Sequence, residues 1–533
     1  ESATLEQTSA LAKQVSEKVQ LLPEIKAISA YVGIASPIDF NGLVRQYYQR
    51  QLPSMADLRV TLIDKTKRDH QSHGVVLRLR KLLEPLNKNG AKIKVVEVPP
   101  GPPVMNTLVA ELYGSQFTPY ENIQQAATLV ENRLAKEPMV VEIDSNVEDN
   151  QQRLRFITDK TKAALSGVAT QDINQVLAVA NQGSVASYMH DENEAAPLPI
   201  KLRLPIEQRE SITDFSRLTL KGRAGIVQTT TAQGIDIAPQ SLISLGELGR
   251  FEQQVNDKTI FHKDLKPVVY VMAEISGRTP GEVIADVASD LTTSSISNTE
   301  ATQLSAQDKN HTKDAQANDW QNRTFLTSGG AQPWSLPEDI KLVWSGEGEW
   351  RITIRVFRDM GLAFIFALIG IYFVLRIQTA STALSLIIMS AIPLTVIGIM
   401  PGFLMLNQFG EREIAGAPEP VLFTATAMIG MIALAGIVVR NSLILVEFIT
   451  QARQQGETIK EALLQAGAVR MRPVLLTAGT TLLGNLIITL DPVFSGLAIA
   501  IIFGIISSTV FTLFVVPIVY LLVFDKPNAV QSR

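Results

Sequence analysis

The pattern of hydrophobic and polar positions changes near residue 350. Before it, apolar positions are interleaved with charged ones, whereas from Met360 onward the apolar runs are long and nearly free of charge. A membrane-spanning helix needs about 20 predominantly apolar residues, and five segments are candidates: 360–375, 382–406, 420–448, 473–490 and 496–524. The sequence therefore predicts a water-soluble part followed by an α-helical transmembrane bundle of five spans.

The first 350 residues alternate between helical and strand patterns, which is typical of an α+β domain. One block predicts a helix, two strands, a helix and a strand, at 5–19, 26–33, 56–63, 73–90 and 91–100. A second block predicts a strand, a helix, a strand and a helix, at 106–114, 119–136, 139–145 and 151–166. Two small layered units of sheet and helix, ferredoxin-like βαβ units, account for this order.

Two further segments interrupt these units. Residues 171–255 are more irregular and look inserted before the strand pattern resumes at Lys266. Residues 292–332 are rich in Ser, Thr, Asn, Gln and Asp and lack hydrophobic periodicity, which indicates a polar loop.

Basic residues predict the orientation of the spans, because short cytoplasmic loops carry an excess of Lys and Arg. One set of loops and the C-terminus carries Arg376, Arg453, Lys460, Arg470, Arg472, Lys526 and Arg533, and the opposite loops carry only Arg412. The first set is therefore expected in the cytoplasm and residues 1 to about 350 outside. The chain opens with Glu1 and shows no signal peptide, so we expect the C-terminal part of a longer protein or one half of a split one.

Composition excludes several function classes. A net charge of −4 gives no basic patch for nucleic acid, and the absence of cysteine rules out disulfides and thiolate chemistry. The five histidines have no metal-binding spacing, and no GxxxxGK[ST] string is present to bind ATP phosphates. We therefore expect no enzyme activity, no cofactor and no metal site.

Arg440 lies inside the third apolar run. A charge at membrane depth is costly unless it is paired or hydrated, so it indicates a functional site. Arginine keeps its proton at any accessible pH, which makes Arg440 a fixed counter-charge rather than a proton carrier. Glu447 shares its helix face but lies about 10 Å away along the axis, so the partner carboxylate is expected outside these spans. The alternative is that Arg440 snorkels to the cytoplasmic face.

Three groups of strings give the chain a family resemblance. They are GIVVRNSLILVEF at 436–448, EALLQAGAVRMRPVLLTAGTTLLG at 461–484, and SPIDFNGLVRQYYQR with VEVPPGPPV in the soluble part. The chain resembles the C-terminal half of resistance-nodulation-division (RND) efflux permeases, of the drug-exporting (acriflavine-resistance) branch, across essentially its whole length.

The resemblance implies a domain order. Residues 1–103 would be a first porter subdomain, 104–170 and 256–350 a second porter subdomain containing the 292–332 loop, 171–255 a docking subdomain, and 351–533 the transmembrane domain. The spans would be the last five of twelve.

The resemblance also implies a proton relay. Arg440, Arg470 and Thr477 match positions that, in the family, hydrogen-bond two aspartates on a span this chain lacks. Each has a simpler interpretation: Arg470 and Arg472 as cytoplasmic anchors, and Thr477 as a residue bonded to its own helix. Phe40, Tyr47 and Tyr48 lie between two predicted strands and are candidates for a substrate path, or for packing on a neighbouring subunit.

These observations together predict a proton-driven exporter of drugs or other amphiphilic molecules in the inner membrane of a Gram-negative cell. Its implied partners are the N-terminal half of the permease, two further copies in a homotrimer, a periplasmic adaptor, an outer-membrane channel and membrane lipid. The alternatives are metal-cation efflux by the same fold and a non-transporting receptor or translocation helper with the same bundle. Against metal efflux, no Met pair or cluster marks a soft-metal path.

Overall fold

The computed structural model describes residues 3–68, 70–88, 90–98, 103–194, 196–209, 211–223, 226–231, 234–237, 240–292, 323, 327–409, 413–414, 417–418, 421–491 and 493–524. Two compact units are present, one formed by residues 148–259 and the other by residues 2–147 together with 260–533. The predicted polar loop at 292–332 lies almost entirely outside the described residues.

The soluble part contains nine helices and fifteen strands among the residues that the structure describes. The helices are α1 (Leu5–Val19), α2 (Phe40–Val44), α3 (Ser72–Leu83), α4 (Tyr120–Ala135), α5 (Lys160–Leu165), α6 (Thr170–Gln182), α7 (Ile212–Ser216), α8 (Leu245–Leu248) and α9 (Pro280–Ser289). The strands are β1 (Ile25–Val32), β2 (Ala56–Leu62), β3 (Leu108–Gly114), β4 (Val140–Ser145), β5 (Gln152–Thr158), β6 (Ser184–Met189), β7 (Leu198–Leu202), β8 (Thr219–Lys221), β9 (Ile226–Thr231), β10 (Gly234–Ile237), β11 (Leu242–Ser244), β12 (Gly249–Val255), β13 (His262–Lys263), β14 (Lys266–Ile275) and β15 (Ile340–Val343).

The first sheet is the antiparallel pair β1–β2, covered by α1 and α3. Thr4 and Gln7 form a capping box that fixes the start of α1. Val15 and Val19 of α1 and Val75 of α3 are buried against Ile28 and Val60 of the sheet. The apolar stripe of each helix thus finds the apolar face of one strand pair.

The predicted strand at 91–100 is wrong in its described part, because residues 91–98 have no regular structure. The reason lies in where the backbone groups bond. The Ile93 N–H donates to the Asn87 side chain (2.7 Å), the Val95 N–H donates to Glu142 Oε1 (2.9 Å), and the Val95 carbonyl accepts from Arg80 (3.2 Å). Side chains thus satisfy polar groups that a strand ladder would otherwise use.

A five-stranded antiparallel sheet is the largest sheet that the structure describes in the soluble part of the larger unit. Its main order is β13–β14–β3–β15, and β4 also pairs with β14. Helices α4 and α9 bury Ala127, Val130, Val283 and Val287 against apolar residues of this sheet, such as Val271. Strands that are distant in the sequence are therefore neighbours here.

The unit formed by residues 148–259 contains a strand where the sequence predicts a helix. The helix expected over 151–166 is wrong, since residues 152–158 form β5, which pairs with β12 along its full length. Only α5 is helical in this stretch. The QRLRFIT segment has a distant partner strand that local periodicity could not reveal.

A buried network of ionic side chains joins α4 to α9. Arg278 contacts Glu137 Oε1 (2.8 Å) and Asp286 Oδ2 (2.5 Å), and Arg133 contacts Glu137 Oε2 (2.8 Å) and Asp290 Oδ2 (2.6 Å). Arg323 also contacts Glu137 and Asp286, at 2.5 and 2.7 Å. Three arginines therefore face three carboxylates, in a place where every member is less than a tenth exposed.

The membrane part consists of long apolar helices. They are α10 (Gly348–Thr379), α11 (Thr382–Met389), α12 (Ala391–Phe409), α13 (Ala425–Gln454), α14 (Ile459–Leu486) and α15 (Ser495–Phe524), with a small strand pair β16 (Glu413–Ile414) and β17 (Ala417–Pro418) between α12 and α13. Among the described residues, five helical segments are long and apolar enough to cross a membrane, with α11 and α12 counted as one. This is the predicted number.

The membrane helices differ in how much of their surface the chain itself covers. In their most apolar stretches, α13 and α15 are half buried, whereas α10 and α14 are only 6% buried. The core of the bundle therefore lies around α13 and α15, and α14 presents most of its surface outward.

Candidate functional site

Arg440 lies near the middle of α13. At 1.5 Å per residue the helix continues for roughly 20 Å on either side of it. The residue is exposed at the surface of the bundle, while Asn441 and Ser442 next to it are buried. Within the described part of the chain, its guanidinium has no ion pair and no hydrogen bond. No described residue therefore compensates this charge, which lies on the exposed face of a membrane helix.

Arg470 lies on α14 and is partly buried. Its guanidinium carbon lies 5.1 Å from the centre of the Phe448 ring, which belongs to α13. Such a cation–π contact contributes about 0.5–2 kcal/mol, depending on how far the cation is desolvated. The Arg470 Nε is buried and has no hydrogen-bond partner among the described residues, so the stacked guanidinium retains a free donor.

Thr477 lies two turns further along α14, and it is exposed. Its hydroxyl donates to the Val474 carbonyl of the same helix at 3.0 Å. No hydrogen bond or ion pair joins any two of Arg440, Arg470 and Thr477 in the described structure. What the three share is position, since all lie well inside the adjacent helices α13 and α14.

The outward face of α14 carries several polar side chains among its exposed apolar ones. Arg472, Thr477 and Thr480 are exposed, and Thr480 and Thr481 both donate to the Thr477 carbonyl. Helix-bonded hydroxyls are tolerated in lipid, but an exposed arginine is not unless another group covers it.

The aromatic candidates lie on a short segment between β1 and β2. Phe40 begins α2 and is 69% exposed, and Tyr48 is 36% exposed, in a 3-10 turn formed by Tyr47–Gln49. Tyr47 differs, because it is partly buried beside Gly42. Burial raises the pKa of Tyr47 above its usual value, and the nearby Asp57 adds to this effect although the Arg45 and Arg50 charges oppose it.

Ion pairs hold this segment in place. Arg45 contacts Glu274 (3.4 Å), Arg50 contacts Asp57 (2.6 Å), and Asp39 contacts Arg59 (3.1 Å). Its apolar side chains are left largely exposed; they are Ile38, Phe40, Leu43, Tyr48 and Leu52, which we call the 38–52 apolar surface. Charges thus anchor the segment while hydrophobic groups face outward, an arrangement that suits an apolar ligand or partner.

Two features of the membrane helices were not predicted from the sequence. Phe448, the ring under Arg470, lies within the quoted GIVVRNSLILVEF string, but its role depends on the packing of α13 on α14. The buried hydroxyls of Ser442, Thr509 and Thr512 were also missed. The cluster of Ser and Thr in ISSTVFT, inside an otherwise apolar span, was the available signal.

In the described residues, a large α+β soluble part joined to five apolar helices, one with an arginine near its middle, defines a multi-pass membrane protein. A family model described as the AcrB/AcrD/AcrF family matches residues 1–320 and 328–524. The chain belongs to this family of RND permeases, which are transporters and not enzymes.

The individual relatives share only limited sequence identity with this chain. The nickel-cobalt-cadmium resistance protein NccA of Alcaligenes xylosoxydans xylosoxydans is 22% identical over 549 residues, covering 100% of this chain and 43% of NccA. The multidrug resistance protein MdtC of Erwinia tasmaniensis is 35% identical over 164 residues, covering 29% of this chain and 14% of MdtC. The chain spans less than half the length of the curated relatives it matches.

A solved structure shows the same fold. A crystal structure of a heavy metal efflux pump aligns with a TM-score of 0.67 and 18% identity, covering 98% of this chain and 46% of that one. At this identity the likeness establishes the fold and not the substrate.

Proposed function

We propose that the chain forms part of a proton-driven RND exporter in a Gram-negative inner membrane. The observation that carries the proposal is Arg440, an exposed cation in the middle of a membrane helix that has no partner among the described residues. The metal-resistance relatives of this chain are more than twice as long as the chain itself. In such a permease the additional part of the protein is available to supply a carboxylate that faces Arg440. A carboxylate beside a fixed cation suits proton transfer, because its pKa depends on how near the cation is.

Arg470 and Thr477 are proposed as secondary members of the relay. Arg470 keeps its positive charge within the helix pair α13 and α14, and the stacked Phe448 ring limits the movement of its guanidinium. Thr477 has the weaker case, since its hydroxyl already has a partner in its own helix.

The soluble part is proposed to lie in the periplasm and to form the porter and docking subdomains. The strand order β15–β3–β14–β4, with α4 and α9 packed on the sheet, supports a ferredoxin-like unit within the second porter subdomain, 104–170 and 256–350. The compact unit of residues 148–259 contains the expected docking segment 171–255. Residues 1–103 would be the other porter subdomain and 351–533 the transmembrane domain. We propose that the complete permease is a homotrimer that works with an adaptor and an outer-membrane channel, on the ground of its family membership.

Orientation can be tested with single cysteines, because the chain has none of its own. In the complete permease, Leu265→Cys, at a position 97% exposed in the soluble part, should react with an impermeant thiol reagent added from the periplasm. Gln455→Cys, at the end of α13, should react only after the inner membrane is opened. Labelling in the opposite order would exclude the proposed topology.

Amphiphilic molecules are the proposed substrates, because the 38–52 apolar surface offers hydrophobic contacts. Phe40→Ser and Tyr48→Ser should each raise the concentration for half-maximal export of a fluorescent amphiphilic dye about three- to tenfold, at unchanged protein level. This range corresponds to the loss of roughly 1 kcal/mol of binding free energy when one apolar side chain no longer contacts the dye. Leu21→Ser, at a position 73% exposed outside this surface, is the matched control. If all three variants export the dye equally, the 38–52 apolar surface is not part of the substrate path. That result would favour a role of the surface in contact with a neighbouring subunit.

Metal cations are the second candidate substrate, favoured by the resemblance to NccA over the whole chain. In the described residues no group of three or more His, Cys, Asp or Glu side chains could hold a metal ion. Export of Ni²⁺ and Co²⁺ from vesicles, measured beside the dye, distinguishes the two: cation export without dye export would replace the amphiphile proposal.

A further inference from the structure

A small group of polar side chains is buried inside the membrane bundle. Ser442 on α13 is 0% exposed, and Thr509 and Thr512 on α15 are 7% and 1% exposed. Their surroundings are apolar, since Leu434, Val438 and Val516 belong to the same core. Hydroxyl groups in such surroundings are costly unless they form hydrogen bonds.

Close packing of α13 on α15 places these residues at one depth. A Cβ atom added at Gly430 would lie 3.4 Å from the Ala500 Cβ, and a Cβ atom at Gly504 would collide with Leu434. The two contacts have the same offset along the chain, so the helices run in the same direction side by side. Two further turns along both helices, Ser442 lies at the level of Thr512, with Thr509 one turn before it.

Two of the hydroxyls have no partner. Ser442 Oγ and Thr509 Oγ1 form no hydrogen bond with any residue that the structure describes. Neighbouring hydroxyls solve this problem within their own helix: Ser508 donates to the Ile505 carbonyl (3.1 Å) and Thr395 donates to the Ile392 carbonyl (2.7 Å). A buried hydroxyl without a partner costs about 1–3 kcal/mol. Helices of this chain already enclose Ser442 and Thr509, so a partner from outside the bundle would have to be as small as a water molecule.

The depth of this group relates it to the relay. Ser442 lies two residues after Arg440, about 3 Å along the axis of α13, but it is buried in the bundle while Arg440 is exposed at its surface. Resting on the proposed function, we propose that Ser442, Thr509 and Thr512 hold internal water that forms part of the proton path through the helix bundle. The water would lie between α13 and α15, at nearly the depth of Arg440.

The test uses the complete permease in vesicles that contain a pH-sensitive dye, so that proton flux and substrate export are measured together. Thr509→Val keeps the shape and removes the hydroxyl, and Ser442→Ala removes one oxygen. Each should slow both fluxes at least fivefold, and the double variant at least tenfold. Thr509→Ser restores a hydroxyl and should stay within twofold of the parent. Ser508→Ala, on the same helix and equally buried but bonded to its own backbone, is the control and should also stay within twofold.

The outcomes separate the inference from the function on which it rests. The water path is overturned, and the proposed function stays intact, if the double variant Ser442→Ala, Thr509→Val shows the proton flux and export of the parent while Arg440→Ala is inactive. If Thr509→Ser and Thr509→Val lose proton flux and export equally, these residues act only in packing, and the water path is overturned as well. A parent protein that exports without moving protons overturns both. If Thr509→Val fails to assemble, Ser442→Ala carries the same comparison.

Discussion

Replacing Arg440 with alanine in the complete permease should abolish proton-driven export while leaving the amount of assembled protein nearly unchanged. Export should fall by at least a hundredfold, because the facing carboxylate would lose the fixed cation that makes its pKa switchable. Assembly should survive, since a carboxylate left without its cation can become neutral by binding a proton. Arg440→Lys should retain part of the activity, because it keeps the charge but loses the planar fork that can hold two carboxylates.

The measurement is proton-coupled efflux in reconstituted vesicles, with the quantity of trimer determined in parallel. Arg472→Ala is the matched control, since Arg472 is a second exposed arginine in the membrane part, on α14, and is not assigned to the relay. Near-normal export by Arg440→Ala would mean that Arg440 snorkels to the membrane surface.

Replacing Arg278 with alanine should destabilise the soluble unit that contains α4 and α9. Arg278 is 1% exposed and bonds both Glu137 and Asp286. Removing one member of a buried ionic network leaves uncompensated charge and typically costs about 3–5 kcal/mol. Arg250→Ala is the control, because the Arg250–Glu252 pair is largely exposed and such pairs contribute about 0–1 kcal/mol.

The readout is the apparent melting temperature of the purified permease, followed as a function of pH. Burial alone would raise the pKa of Asp286, but the Gly329 N–H and the Arg323 and Arg278 guanidinium groups outweigh it and lower the pKa below 3.8. A carboxyl with a lowered pKa contributes stability above pH 3.8, and this contribution is lost as the pH falls through the folded-state pKa. Without Arg278 that pKa should rise, so acid sensitivity should begin at a higher pH. A variant that melts with the parent would show that Arg133 and Arg323 compensate.

Part of the candidate site could be predicted from the sequence. Arg440 stands out because a single charge interrupts a long apolar run, and that is a local signal. Phe448 under Arg470, the ion pair between Arg45 and Glu274, and the orientation of the 38–52 apolar surface depend on contacts between distant segments. No periodicity in the sequence specifies them.

The sequence by itself determined the elements whose cause is local. Long apolar runs predict five membrane helices because the bilayer requires about 20 apolar residues, and the stripe over 5–19 predicts α1 because its apolar residues recur at helical spacing. Family membership also follows from local strings such as GIVVRN. These features need no knowledge of which segments meet.

Only the tertiary structure decided the features that depend on distant partners. Residues 152–158 are a strand because β12 lies beside them, and residues 91–98 are irregular because Glu142 and Arg80 take their backbone hydrogen bonds. The buried network around Glu137 joins residues from α4, α9 and Arg323. In each case the energy comes from a hydrogen bond or ion pair between segments far apart in the chain, and only the packed structure brings them together.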